Sequence, residues 1–342
     1  LPDGQLDNSF QTNRLDNGSS TEYSVKMGLL EDGKILIGNN RRLFNGTPVP
    51  SLIRLLSNGQ LDTDFENLNW TDPILRMEPW KDGGFMVVAS GSNSKISFSG
   101  LKSDGTIDLS FSSFTVTRFY TSGRRLENHP IFRVYPNGHL LVYGKRENEG
   151  TFLFHKYGLN GNWSGSMFSG QVVPELTYNQ DFQIVDEDKI LFVTGVNSIQ
   201  KKARNGLALF NNQSQLLEEY CSLINGLYYL TCTKVGPDNK ILAGGGFTQA
   251  YGKERFGIAR LHPDGNLDST FIPDLGENGR FVAKMAIQND GKILVLWALP
   301  NTTPFGNSYL FSFQRLNPNG KVDSTFCMAE HPLALPSDPF FF

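Results

Sequence analysis

Cysteine is scarce in this chain, with three in 342 residues, so at most one internal disulfide can form. Methionine is scarce too, at six, and charge patterns of the helical kind are few. No run approaches the roughly 18 consecutive apolar residues of a membrane span, so no membrane insertion is expected. Neither sign of charge dominates: 31 basic residues stand against 34 acidic ones, a net −3. That balance gives no basic field for nucleic acid or for an anionic membrane surface. The opening residues, LPDGQLDNSF, lack the basic start and apolar core of a signal peptide and read as the end of a repeat. The numbered chain is therefore expected to be a mature or trimmed piece. No G-x-S-x-G elbow, H-E-x-x-H pair or phosphate loop occurs. Gly244-Gly245-Gly246 follows a strand-like run but opens no helix. No catalytic residue, cofactor or metal is expected.

What is abundant suits short strands and tight turns: 26 Phe, 11 Tyr and 35 Gly. One phrase recurs, as LPDGQLDNSF at 1–10, LSNGQLDTDF at 56–65, KSDGTIDLSF at 102–111, HPDGNLDSTF at 262–271 and NPNGKVDSTF at 317–326. Degenerate copies fall at 159–167 and 212–220. The closing residues Phe10, Phe65, Phe111, Met167, Tyr220, Phe271 and Phe326 are spaced by about 53 residues. A second phrase precedes each later copy, for example MGLLEDGKILIG at 27–38 and MAIQNDGKILVLW at 285–297.

Each phrase reads as a hairpin. Apolar residues alternate or run for several positions, Asp-Gly or Asn-Gly supplies a two-residue turn, and strand character resumes. Two hairpins give four antiparallel strands per repeat; in the first repeat these are near 24–30, 34–38, 51–56 and 60–65. Tandem four-stranded units without amphipathic helices predict an all-β fold, a β-propeller of six blades. The repeats span about 11–65, 66–111, 112–167, 168–220, 221–271 and 272–326, with 1–10 a partial repeat and 327–342 a C-terminal tail. A seventh blade would need two strands from that tail, which holds three prolines and no turn phrase. A parallel β-helix, with shorter rungs and no hairpin turns, is the structural rival.

The wording of the repeats resembles the delta-60 repeat family, with phrases like QxDGKILVGGxF and ARLxxDGxLDxSF. The fullest match runs from Asp238 to Phe271 and includes Gly244 to Phe247, Ala259 to Leu261, Asp264, Gly265, Leu267 and Asp268. The third and fourth repeats depart from the pattern in their second hairpin. The resemblance implies a propeller within exported or surface proteins, and implies no catalytic residues.

Hairpin connectivity puts the uniform Asp-Gly turns on one side. Loops of uneven length lie on the other, at 38–50, 144–150, 244–256, 297–308 and the crossing at 112–129; recognition is expected there. Aligned repeats place Lys26, Arg76, Ile131, Asp181, Cys232 and Lys284 around the channel mouth. The cations among them could grip an acidic sugar, a carboxylate or an acidic protein loop; the bland alternative is a wet channel that tolerates charge. Phe44, Tyr120, Tyr251, Trp297 and Phe305 could stack on sugar rings or anchor a protein partner, or else fill gaps between blades. The repeated Asp7, Asp62, Asp108, Asp268 and Asp323 fall on different blades, so each is expected to cap its own turn rather than ligate a metal. The five histidines hold unrelated repeat positions. No two of Cys221, Cys232 and Cys327 are expected within disulfide reach. Asn17, Asn45, Asn69, Asn162, Asn212 and Asn301 carry the N-glycosylation pattern, which matters only in a secreted eukaryotic protein.

These features point to a non-catalytic extracellular or cell-surface module that binds protein or glycan through the variable face. The alternatives are a glycan-processing enzyme at the channel mouth, using Asp181 with Glu78 or Glu147, and a structural subunit of a larger assembly.

Overall fold

The computed structural model describes residues 7–11, 15–16, 25–38, 43–65, 70–91, 95–117, 132–147, 149, 153–167, 181–193, 198–199, 202–203, 207–217, 224–225, 230–274, 281–303, 306–326 and 333–335. The chain forms two compact units, Asp7–Ser169 and Leu1–Leu6 with Gly170–Phe342. The described residues are all-β, in antiparallel sheets.

Each repeat contributes a sheet whose first three strands follow chain order. In repeat 1 these are Lys26–Leu29, Ile35–Gly38 and Leu52–Leu55. Repeat 2 has Ile74–Pro79, Phe85–Ser90 and Lys95–Leu101, and repeat 3 has Phe132–Val134, Leu140–Gly144 and Leu153–Tyr157. In the other unit, repeat 4 has Asp181–Asp186, Lys189–Val193 and Leu207–Asn211, and repeat 5 has Leu230–Val235, Ile241–Gly245 and Ile258–Leu261. Repeat 6 has Phe281–Ile287 and a long hairpin of Ile293–Thr303 with Gly306–Leu316.

The fourth strand departs from expectation. The Leu-Asp-x-x-Phe segment at 61–65 is no strand: a single bridge joins Leu55 to Leu61, and the chain then turns at once, with the Phe65 N–H donating to the Asp62 carbonyl at 3.3 Å. Repeat 2 takes its fourth strand, Phe114–Thr117, from beyond the phrase boundary at Phe111. Repeat 6 takes Leu333–Leu335 from the tail. Among the described residues, repeat 3 alone keeps its fourth strand, Trp163–Met167, inside the expected span.

The turns differ in size from the two-residue form. The Leu30 N–H donates to the Lys34 carbonyl and the Gly33 N–H to the Leu30 carbonyl, which is a three-residue loop closed by a glycine at φ 81°. The same pair of bonds recurs at Leu56/Gln60, Lys102/Thr106, His262/Asn266 and Asn317/Lys321. Ser214 takes the left-handed position in the degenerate copy at 212–220, and Asn239 takes it in the first hairpin of repeat 5.

Period-2 alternation on the second strand decides which neighbour each sheet packs against. Phe85, Val87 and Ala89 join Leu36 and Leu52 of repeat 1, while Met86 and Val88 join Leu140 and Val142 of repeat 3. In the other unit Ile241 and Ala243 pack with repeat 4, and Leu242 packs with repeat 6. Each of these side chains larger than alanine contributes roughly 1.5–3 kcal/mol on burial.

Consecutive repeats are also latched. The residue after the closing Phe donates its N–H to the next repeat's turn: Ser112 to the Asn160 carbonyl and Ile272 to the Asn319 carbonyl. Gln11 makes the same bond to Asn58 at 2.8 Å, so residues 7–11 dock on repeat 1 as a preceding repeat's end would. The turn glycines make room for this approach. A Cβ on Gly320 (φ 91°) would sit 2.9 Å from the Ile272 backbone, whereas one on Gly46 (φ 81°) would meet nothing within 4 Å. Gly46→Ala should therefore cost only the backbone strain of about 1 kcal/mol. Gly320→Ala adds a backbone clash and should cost clearly more; urea denaturation of the two variants checks the order.

Candidate functional site

Five of the six expected inner positions pair at one and the same step, each within its own sheet. Lys26 pairs with Gly38, Arg76 with Val88, Asp181 with Val193, Cys232 with Gly244 and Lys284 with Leu296, the same step along each second strand. Bulges immediately precede Arg76, Cys232 and Lys284 and absorb an extra residue without disturbing that step. Lys26, Arg76 and Cys232 are half-buried and Lys284 is exposed. Lys26 and Arg76 lie in one unit, Asp181, Cys232 and Lys284 in the other. Ile131 lies outside the described residues, as do Tyr120, Phe305, Cys221 and Cys327. Cys232 forms no disulfide among the described residues.

Arg76 belongs to a cluster with Glu78, which the sequence offered as a second carboxylate, and Arg133, which the sequence alone did not single out. Glu78, two positions along the same strand, accepts from Arg76 Nε at 2.8 Å and from Arg76 Nη2 at 2.6 Å. It also accepts from Arg133 Nη1, on the first strand of repeat 3, at 2.7 Å. The first strands of repeats 1, 2 and 3 are neighbours, so Lys26, Arg76 and Arg133 form a cationic series along adjacent strands with Glu78 set among them.

The loop aromatics are mostly core. Trp297 lies inside a strand at 1% exposure and packs with Val282, Met285 and Phe271. Phe44 is 5% exposed and packs on Ile37 and Ile53. Tyr251 is half-buried, and its hydroxyl donates to the Gly265 carbonyl. The reason is local: the segments expected as open loops fold into hairpins of their own, Leu43–Phe44 with Thr47–Pro48, Gln249–Ala250 with Lys253–Glu254, and the extended hairpin of repeat 6. Each has an inner face, and the aromatics fill it.

The repeated aspartate does cap its turn. Oδ1 of Asp268 accepts the Thr270 N–H at 3.0 Å and its hydroxyl at 2.5 Å, and Asp323 does the same with Thr325. Its other oxygen has a second task. Asp268 Oδ2 takes Arg260 Nε at 2.8 Å and Lys240 Nζ at 3.0 Å; Asp323 takes Arg315 at 2.8 Å and Lys292 at 3.1 Å; Asp62 takes Arg54 at 2.8 Å and Lys34 at 3.4 Å. Each guanidinium also covers its repeat's closing ring, Arg54 over Phe65 at 4.6 Å, Arg260 over Phe271 at 4.7 Å and Arg315 over Phe326 at 4.7 Å. Burial alone would push the Asp268 carboxyl up; the hydrogen bonds from Thr270, Lys240 and Arg260 outweigh it and hold the group far below the usual carboxylate range.

A second polar cluster lies in repeat 3. His155, fully buried, faces its cross-strand partner Ser166, with Nδ1 2.8 Å from Ser166 Oγ. Nε2 is 3.2 Å from the Gly144 carbonyl and 3.2 Å from Glu149 Oε2. Arg146 fixes Glu149 through its N–H at 3.2 Å and stacks over Trp163 at 4.1 Å. Burial lowers the His155 pKa, opposed in part by the Glu149 charge. Only strand register reveals this grouping, since its members are scattered over 23 positions of sequence (144 to 166).

Two stretches of the chain match a β-propeller repeat family. Residues 30–65 and 236–271 match the family model described as "Domain of unknown function (DUF5122) beta-propeller". Each stretch runs from the turn of the first hairpin to the closing Phe. No curated protein matches. Among solved structures, the GH74 xyloglucanase from Xanthomonas campestris is similar at 12% identity and a TM-score of 0.47, over 90% of this chain and 47% of that one, so the present chain spans about half its length. A eukaryotic initiation factor is similar at 11% identity and a TM-score of 0.41, over 92% and 90% of the two chains. The C-terminal domain of Pseudomonas aeruginosa PilY1 is similar at 13% identity and a TM-score of 0.27, over 86% and 79%.

Proposed function

We propose that the chain is a β-propeller binding module, its six repeats the blades, presented outside the cell and recognising an acidic glycan or an acidic protein segment. The observation that supports this reading is the Lys26, Arg76 and Arg133 series on adjacent first strands. Two guanidiniums hold one carboxylate there, with Lys26 on the neighbouring strand, and guanidiniums pair with carboxylate and sulfate groups through paired N–H donors. The site sits on strands, so its geometry is fixed before the ligand arrives. Glu78 is the series' own counter-ion, and an incoming anion competes with it for both guanidiniums.

This competition sets the sign of the test. On an array of neutral, carboxylated and sulfated glycans the chain should retain the acidic ones. Arg76→Ala should weaken retention about tenfold or more, the worth of one charge-assisted hydrogen bond. Glu78→Gln, which removes the competing anion, should tighten it. Retention of neutral glycans alone, or an Arg76→Ala variant that binds as well as the parent, would overturn the reading.

A further inference from the structure

We infer that Ser166 is an activated nucleophile, with His155 as its general base and Glu149 behind the base, and that it cleaves carboxylic esters. The assignment rests on which atom carries the imidazole hydrogen. Nε2 faces two groups that can only accept, the Gly144 carbonyl and the Glu149 carboxylate, both at 3.2 Å. The hydrogen therefore sits on Nε2, and Nδ1 offers a lone pair. Ser166 Oγ, 2.8 Å away, must then donate to Nδ1. A serine whose O–H points at an imidazole lone pair, with a carboxylate on the far nitrogen, has the hydrogen-bond order that nucleophilic attack requires.

The surroundings fit that role. Glu149 cannot swing away, because the Arg146 N–H donates to it and its own N–H donates back to the Arg146 carbonyl at 3.2 Å. Its charge stabilises the imidazolium that forms in the reaction. His155 is shut off from water, while Ser166 is half-buried, so only the hydroxyl side meets a substrate. Trp163, on the same strand and 48% exposed, offers a platform for a ring on the ester.

In the acylation step Ser166 Oγ bonds to the ester carbonyl carbon while its proton moves to His155 Nδ1. The carbonyl electron pair goes to oxygen and returns as the C–O bond to the alcohol breaks. The departing alkoxide takes the proton from Nδ1. Water then attacks the acyl-serine, passing a proton to Nδ1, and this proton ends on Ser166 Oγ as the acid leaves. Ester and water are consumed, and acid and alcohol are formed.

The test uses the full chain with a biotinylated fluorophosphonate and with p-nitrophenyl acetate. Peptide mass spectrometry should place the phosphonyl adduct on Ser166, and Ser166→Ala should lose both the adduct and nitrophenol release. His155→Gln should slow labelling at least 100-fold, the usual worth of a general base. Glu149→Gln should slow it less and move the midpoint of its pH profile, which a merely structural carboxylate would not do. If His155→Gln fails to fold, the Glu149→Gln variant decides, since that side chain reaches solvent. An adduct spread over other serines, or labelling of Ser166 at the same rate and pH midpoint in Glu149→Gln, would overturn the assignment.

Discussion

Asp268→Ala should destabilise the protein by about 3 kcal/mol, the low end for removing one partner of a buried ion pair. The carboxylate side chain is 1% exposed and holds Arg260 and Lys240, at 15% and 26%. Without it, Arg260 loses its carboxylate, Lys240 keeps only Asp238 at 3.8 Å, and the Thr270 N–H loses its acceptor. Asp108→Ala should cost less, because among the described residues it holds a single lysine, Lys81, at 3.1 Å and 24% exposed. Urea titration of both variants checks the order. The same carboxylates set the acid limit. Asp62, Asp108, Asp268 and Asp323 all have lowered pKa values, so the folded state binds fewer protons than the unfolded chain. Their stabilisation is complete above the ordinary carboxylate range and fades as pH falls below about 4, toward their folded values. A parent midpoint that drops steeply below that pH, and a shallower drop in Asp268→Ala, are the expected curves. A flat midpoint down to pH 2 would remove the aspartates from the account.

Trp80→Ala should cost about 3–5 kcal/mol, the range for emptying a buried indole site. The ring is 7% exposed, stands edge-on to Phe111 at 5.1 Å and donates Nε1–H to the Gly138 carbonyl of the next repeat at 2.8 Å. Trp80→Phe keeps most of the packing but strands that carbonyl, for a loss of about 1–3 kcal/mol. Trp297 provides the contrast. Its Nε1 finds no acceptor among the described residues, so Trp297→Phe leaves no new polar group unpaired. It should cost less than Trp80→Phe, and equal costs would mean that the indole hydrogen bond to Gly138 contributes nothing.

The repeat, its antiparallel hairpins and its strand faces were legible because period 2 and the Asp-Gly signal are local. The register of the first strands was legible for the same reason: Lys26, Arg76, Cys232 and Lys284 each pair at the same step of their own sheet's second strand. The fourth strand was not. Leu-Asp-x-Ser-Phe looks like the return arm of a hairpin, but the aspartate uses its side chain to bend the chain one residue after the bridge. The loop aromatics misled for a related reason: Asn45-Gly46 and Tyr251-Gly252 make new hairpins inside segments read as loops, and a hairpin has a face to bury. Arg133 and the His155, Ser166 and Glu149 grouping required cross-strand register, which no single phrase carries.

The latch between repeats gives the chain a direction. Phe65 rests against Gly105, and Arg54 and Arg260 donate to the carbonyls of Asp104 and Pro318, each in the turn of the following repeat. A repeat therefore borrows the groove for its closing ring from residues synthesised roughly 50 positions later. On the ribosome, repeats 1, 2 and 5 each wait for a successor before the closing ring is covered, so their compaction trails synthesis by one period. A translational pause placed just after a closing phenylalanine would hold that ring in water, and one placed a turn later would not.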